Sequence, residues 1–241
     1  MTNVFAHMAT LGTVMRGLSE LLDSQGVFST ESQYLLDVLQ LNQFDGIYHE
    51  HIRTYSIKAL TRLVPYYGME VFDAVRTSRY GGNIRASIGW KGAHSVSPQV
   101  EALLKAEEAA GLFDAEIWAA WRKRVDKNRT EFMQLVYEAK GKGERVVAAS
   151  CPGRGTVLMN YFGLDRNLVS YIAEIPTGLK IGKHMPGTHQ PVVSNEILFR
   201  QQPEYVVILA WHYSDYMIKH FKKRRLSSKF IVPLPECKVI E

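Results

Sequence analysis

"RVVAASCPGRGTVLMNYF", residues 145–162, places a short apolar run directly before a Pro-Gly segment and then a helical pattern. RVVAAS, bounded by turn residues, reads as a strand buried on both faces. CPGRG reads as a tight glycine turn, and TVLMNYF as the helix that follows. The pattern repeats downstream. VSYIAE is a second strand ending in Glu174, SNEILFRQ a helix, YVVILA a strand, YSDYMIKHF a helix and KFIVPLP a final strand. Strand–helix alternation over roughly 100 residues predicts a small parallel sheet flanked by helices, a Rossmann-like α/β unit with right-handed crossovers. Its ligand crevice is expected at the carboxyl ends of the strands, with CPGRG, Glu174 and AWHY (residues 210–213) around one mouth.

Upstream, KGKGE marks a boundary. Before it, a helix from Ala115 to about Ala139 sets Trp118, Trp121, Val125, Phe132, Leu135 and Val136 on one face, with basic residues between. With the helix Gln99–Ala110 it reads as a connector. Earlier still, LGTVMRGLSELLDSQGVF has helical spacing with Gly26 placed to cap it, and VFSTES is a short strand. QYLLDVLQL is a short helix. SIKALTRLVPYYGM is another, with Ser56 as N-cap and Gly68 as its end. EVFDAVRTS and NIRASIGW form two strands joined through Tyr80-Gly81-Gly82. The only strand possible before the first helix is a stub at Asn3 to Ala6, so this part is expected to begin in the middle of a sheet. The expected domains are 1–95, a connector at 96–142, and 143–241.

Composition excludes several classes. With 46% apolar and 22% charged residues the chain is an ordinary globular one, and no run reaches the ~18 apolar residues of a membrane span. The start, MTNVFAHMATLG, has no signal-peptide pattern. Only Cys151 and Cys237 are present, too few for a disulfide scaffold or a four-cysteine zinc site, which favours a reducing, cytoplasmic setting. The basic run KHFKKRR, Lys219 to Arg225, reads as the solvated end of a helix whose cations oppose the dipole, because no nucleic-acid motif accompanies it.

Three stretches carry chemistry. SCPGRGT has the strand-before, helix-after context of an anion site, in which N–H groups at the helix start and Arg154 would hold a phosphate. It is neither GxGxxG nor a P-loop, and a structural turn explains the glycines equally well. Glu174, about 20 residues further on, stands where an acid often takes a ribose hydroxyl. HMPGTHQP brings His184 and His189, at a spacing that is no standard metal pair. The densest polar cluster is YHEH: Tyr48, His49, Glu50 and His51. Two histidines two residues apart make a poor metal site, whereas an imidazole beside a carboxylate titrates near neutral pH and suits proton transfer. A hydrogen-bonded loop without chemistry is the alternative.

NQFDGIYHEHIRTYSIKALTRLVPYYGMEVFD, then YGGNIRASI, MNYFGL and MPGTHQPVVS in that order, resemble the sugar C-methyltransferase family across nearly the whole chain. The resemblance implies methyl transfer from S-adenosylmethionine to a carbon of a keto nucleotide-diphosphate sugar, through an enolate. It also implies an N-terminal zinc domain, a central methyltransferase domain and a C-terminal Rossmann-like domain. This chain matches the second half of the central domain and the whole C-terminal one. Zinc is therefore expected only in the part upstream, as is the glycine-rich loop for the methyl donor. A polypeptide supplying that N-terminal half is the implied partner; no membrane or nucleic acid is.

By the same resemblance the enolising base falls on His51, with Glu50 and Tyr48 beside it and His7 across the site. Arg154, Thr156, Asn160 and His189 fall on the sugar nucleotide, and Asn3 and Phe5, in the family's NVFAHM segment, near the cofactor. Arg154 stands where relatives usually carry lysine, and Glu174 where they tend to carry aspartate. A non-catalytic nucleotide-sugar-binding module is the runner-up, and a nicotinamide oxidoreductase, suggested by CPGRG and Glu174, the third reading.

Overall fold

A computed structural model describes residues 1–241. The chain forms two compact units: Met1–Leu41 with Tyr48–Trp121, and Asn42–Ile47 with Arg122–Glu241. The short insert 42–47 thus belongs to the second unit although its neighbours on both sides belong to the first.

Unit 1 contains α1 (Leu11–Leu21), β1 (Phe28–Gln33), α2 (Leu35–Gln40), α3 (Ile57–Leu63), β2 (Met69–Thr77), β3 (Asn83–Trp90), α4 (Pro98–Ala109) and the start of α5 (Ala115–Gly141). Its sheet has the order β1-β3-β2, antiparallel throughout. Ile84, Ala86 and Ile88 on the central strand are buried, as the alternation of apolar residues in NIRASIGW requires. The turn between β2 and β3 needs its second glycine: Gly82 has φ 131°, and a Cβ there would stand 2.2 Å from Asp37 Cγ. Asp37 is itself buried and paired with Arg76.

Ser56 caps α3 as expected, its hydroxyl accepting from the Ala59 N–H at 3.0 Å, and Gly68 ends the following turn in the left-handed conformation. A second cap has no counterpart in the local sequence. Glu107 of α4 is fully buried and accepts from the N–H groups of Ile57 (2.5 Å) and Lys58 (3.1 Å) and from the Tyr34 hydroxyl (2.9 Å). A carboxylate at a helix N-terminus satisfies donors that would otherwise be orphaned and opposes the dipole. Burial, then the Glu107 charge, holds the Tyr34 phenol well above its ordinary range. Two expectations give way here. The proposed stub at Asn3–Ala6 is a single parallel bridge at Thr2 followed by a 3-10 turn at Phe5–His7. Helix α1 ends at Leu21, and Gly26, five positions on, closes a separate turn by donating its N–H to the Asp23 carbonyl.

Unit 2 contains the rest of α5, β4 (Val146–Ala149), α6 (Gly153–Phe162), β5 (Ile172–Glu174), β6 (Val192–Ser194), α7 (Glu196–Gln201), β7 (Tyr205–Ile208), α8 (Ser214–Lys223), β8 (Lys229–Val232) and β9 (Lys238–Ile240). The sheet order is β6-β5-β4-β7-β8-β9, parallel except for β9. The α/β expectation holds. Val146 to Ala149 are wholly buried because the central parallel strand is covered on both faces. Right-handed crossovers put α6 and the 175–191 segment on one face and α7 and α8 on the other. The chain leaves β4 in one direction and β7 in the opposite one, so the switch point lies between their carboxyl ends.

CPGRG is not a glycine turn. Helix α6 begins at Gly153, and neither Gly153 nor Gly155 has a positive φ. Gly155 is small for packing: a Cβ would meet Pro152 Cδ at 3.3 Å and Leu209 Cβ at 3.4 Å. The left-handed residue of this connection is Ser150, with φ 70°.

Candidate functional site

The polar cluster of unit 1 is assembled from two segments that run beside each other. The Arg53 N–H donates to the Ala6 carbonyl (3.3 Å) and its guanidinium to the Met8 carbonyl (2.5 Å). Two residues on, Tyr55 stacks on Phe5 with centroids 5.2 Å apart, and the Leu35 N–H holds the Tyr55 carbonyl at 2.8 Å. These contacts bracket residues 6–8 against 51–55. His7 and His51 consequently meet edge to face, centroids 4.9 Å apart at 74°. Tyr48 lies against the His51 ring at 4.6 Å, and its hydroxyl donates to Glu50 at 3.3 Å. His51 and His7 are half-buried, whereas His49 and Glu50 are exposed. Tyr48, Glu50, His51 and His7 are brought together, then, and His49 faces outward. The sequence reading missed Arg53, which ties the two segments; its only signal was a basic residue two positions beyond His51.

The positions assigned to the methyl donor look different. Phe5 is fully buried, packed on Tyr55 and Phe28, and Asn3 accepts from the Asn83 amide at 3.3 Å. These two residues by themselves do not form a pocket that S-adenosylmethionine would fit. No group of three or more His, Cys, Asp or Glu side chains is placed to hold a metal.

In unit 2, Arg154 lies in the first turn of α6, where an anion was expected, and the anion it meets is the chain's own Asp45. The guanidinium donates to Asp45 Oδ1 at 2.6 Å and to Gln43 at 3.0 Å, and the Trp211 indole N–H donates to Asp45 Oδ2 at 2.8 Å. Arg154 also sits 5.6 Å from the Trp211 ring centroid. Asp45 is 1% exposed and Arg154 11%. Burial, then the Arg154 charge, pushes the neighbouring His212 down to about 4, with Asp45 acting the other way. The insert 42–47 thereby reaches residues at the ends of β4 and β7.

The remaining predicted residues hold one loop. Thr156 donates to the Met185 sulfur at 3.1 Å, and the Asn160 amide donates to its own helix at Thr156 and to the Pro186 carbonyl at 3.0 Å. Gly187, at φ 84°, lies so close that a Cβ would fall 2.0 Å from Asn160 Oδ1. His189 is exposed, has φ 62° and donates its N–H to the Met185 carbonyl at 2.9 Å. Thr156 and Asn160 are thus joined directly to the loop that presents His189, whereas Arg154, in the same first turn of α6 as Thr156, pairs with Asp45 instead.

A family model described as a C-methyltransferase C-terminal domain matches residues 78–235. The chain belongs to the C-methyltransferase family. Among curated proteins, C-methyltransferase NovU of Streptomyces niveus is 32% identical over 238 residues, covering 98% of this chain and 56% of that relative. The chain therefore spans little more than half the length of that relative. The family match contains Arg154, Thr156, Asn160 and His189, while Tyr48–His51 precede it and fall within the longer alignment to the C-methyltransferase of Streptomyces.

Proposed function

We propose that the chain carries the proton-abstracting chemistry of a carbon methylation, in which S-adenosylmethionine is the methyl source and a keto nucleotide-diphosphate sugar the acceptor. The observation that carries this reading is the edge-on contact of His7 and His51 with Tyr48 against the same ring. A ring nitrogen of His51 takes the proton next to the keto group. The C–H electron pair moves into the carbon framework and the charge develops on the carbonyl oxygen as an enolate. His7 is the adjoining polar group for that oxygen, while Tyr48, whose single proton goes to Glu50, packs against the His51 ring. The part of the reaction carried by these residues ends at the enolate, whose carbon is the nucleophile for the methyl group.

Family resemblance assigns the nucleotide portion to Thr156, Asn160, His189 and Arg154. Arg154 already bears Asp45, so its share in binding is the weakest of the four.

Exchange of the sugar's α-proton in heavy water, followed by proton NMR, reads the step without methyl transfer. The chain, alone or with the upstream part of a relative supplied, should catalyse loss of that signal. His51→Ala should slow it by at least about 100-fold while leaving sugar-nucleotide affinity within a few-fold. Exchange that survives in His51→Ala removes His51 as the base. Absence of exchange under both conditions removes the proposal.

A further inference from the structure

On the α8 face of the unit 2 sheet, at the carboxyl ends of β4, β5 and β6, lies a cleft of about 240 Å³. Ile175, Met217 and Phe221 give it apolar walls, Tyr216 an aromatic one, and Glu174 and Asn195 supply polar groups. None of these residues takes part in the chemistry proposed above.

Two features of the cleft point to a ligand. Asn195 is 6% exposed, and its Oδ1 has no hydrogen-bond partner, an arrangement proteins seldom retain without a use. Its backbone is fixed, since its N–H donates to the Glu174 carbonyl at 2.7 Å, so the two polar residues are held in register. The Glu174 carboxylate accepts one backbone N–H on each oxygen, from Cys151 and from Ile175, both at 2.8 Å. Each carboxylate oxygen accepts more than one hydrogen bond, so capacity remains for two hydroxyl donors. An acid at the end of the strand next to the first βα turn, in the sheet order observed here, is the position that holds a ribose diol in dinucleotide-binding folds.

We propose that this cleft binds the nucleoside end of a ribonucleotide, with the ribose cis-diol on Glu174 and an N–H edge of the base on Asn195 Oδ1, an atom covered in the free chain and presented when the side-chain amide turns toward the ligand. The base lies against Tyr216 and Ile175. The volume suits one nucleoside rather than a dinucleotide, being below the usual range for larger ligands. An acceptor without a partner selects a base that presents a donor, and a diol-binding carboxylate selects ribose over deoxyribose. Adenosine meets both conditions.

Isothermal titration of the full chain with adenosine and adenosine diphosphate, with neither methyl donor nor keto sugar present, tests this independently of proton exchange. Saturable binding is expected, about ten-fold weaker for 2′-deoxyadenosine. Asn195→Leu should weaken adenosine by about ten-fold while leaving the unfolding midpoint unchanged or higher, because it removes a buried atom that lacks a partner. Glu174→Gln should narrow the gap between adenosine and its 2′-deoxy form. No saturable binding of adenosine, equal affinity for the 2′-deoxy form, equal displacement by thymidine diphosphate, or an unchanged affinity in Asn195→Leu would each overturn the proposal.

Discussion

The segment 42–56 divides between two kinds of electrostatic environment. Its first half ends in Asp45, almost wholly buried and held by a guanidinium and an indole N–H. Its second half presents Tyr48, Glu50 and His51 in a cluster that solvent reaches, positioned by backbone carbonyls and aromatic packing. The two halves differ because a buried charge must be matched almost completely, whereas a group that has to exchange protons needs access to a substrate. Within fifteen consecutive residues, then, one acid anchors and another side chain is left able to react.

Replacing Asp45 should strain the buried half most. Asp45→Ala leaves the Arg154 charge buried without its carboxylate, and unfolding in urea should show unit 2 less stable by about 3–5 kcal/mol. The double variant Asp45→Leu, Arg154→Met should recover much of that loss, since removing both charges also removes their desolvation cost. A double variant as unstable as the single would mean that the segment is held by something other than the pair.

The open half depends on α3 starting where it does. Glu107→Ala removes three hydrogen bonds to a carboxylate and should cost roughly 2–4 kcal/mol in unit 1. Circular dichroism during denaturation would report it. Glu107→Gln, which keeps an acceptor, should cost less than half as much; equal losses would argue that packing, not capping, is the main role.

His212 connects stability to pH. Its folded pKa of about 4 lies below the ordinary value of 6.5, so between those limits the unfolded chain binds the extra proton. Its contribution is therefore complete above about pH 6.5 and is lost as pH falls toward 4, on the order of 2 kcal/mol after allowance for partial exposure. His212→Gln should flatten the stability profile in that window. An unaltered slope would place the acid sensitivity elsewhere.

The smallest effect should come from Arg53, which touches neither reacting atom nor substrate. Arg53→Ala loosens the His7–His51 approach and should lower α-proton exchange about ten-fold, with the pH midpoint of the reaction preserved. A shifted midpoint would show that Arg53 acts on the charge of the base rather than on its position.

Much of this was legible along the chain. Apolar runs of four residues separated by helical patterns announced the parallel sheet, because a strand buried on both faces leaves no polar alternation to mislead the reading. Ser56 began α3 by local chemistry alone, and Gly68 closed not α3, which ends at Leu63, but the 3-10 turn Val64–Tyr67 after it. The YHEH cluster stood out because polar residues dense in one stretch remain neighbours when folded. CPGRG misled, since glycine chosen for close packing and glycine chosen for a left-handed turn look the same in one dimension. The roles of Glu107, Arg53 and Asp45 were invisible for a related reason: each partner lies between 45 and 166 residues away.

By itself, then, the sequence determined most of the strands and helices, though not β6 or β9, and which polar residues are crowded enough to suggest proton transfer. Only the tertiary structure decided that His7 would meet His51, that Arg154 would spend its charge on Asp45, and that Asn195 would stand buried beside Glu174 at the edge of a cleft. Periodicity and capping act over one or two turns and so are written locally. Pairing of charges and the lining of a cleft depend on which distant segments the folded chain brings together, and no local pattern encodes that.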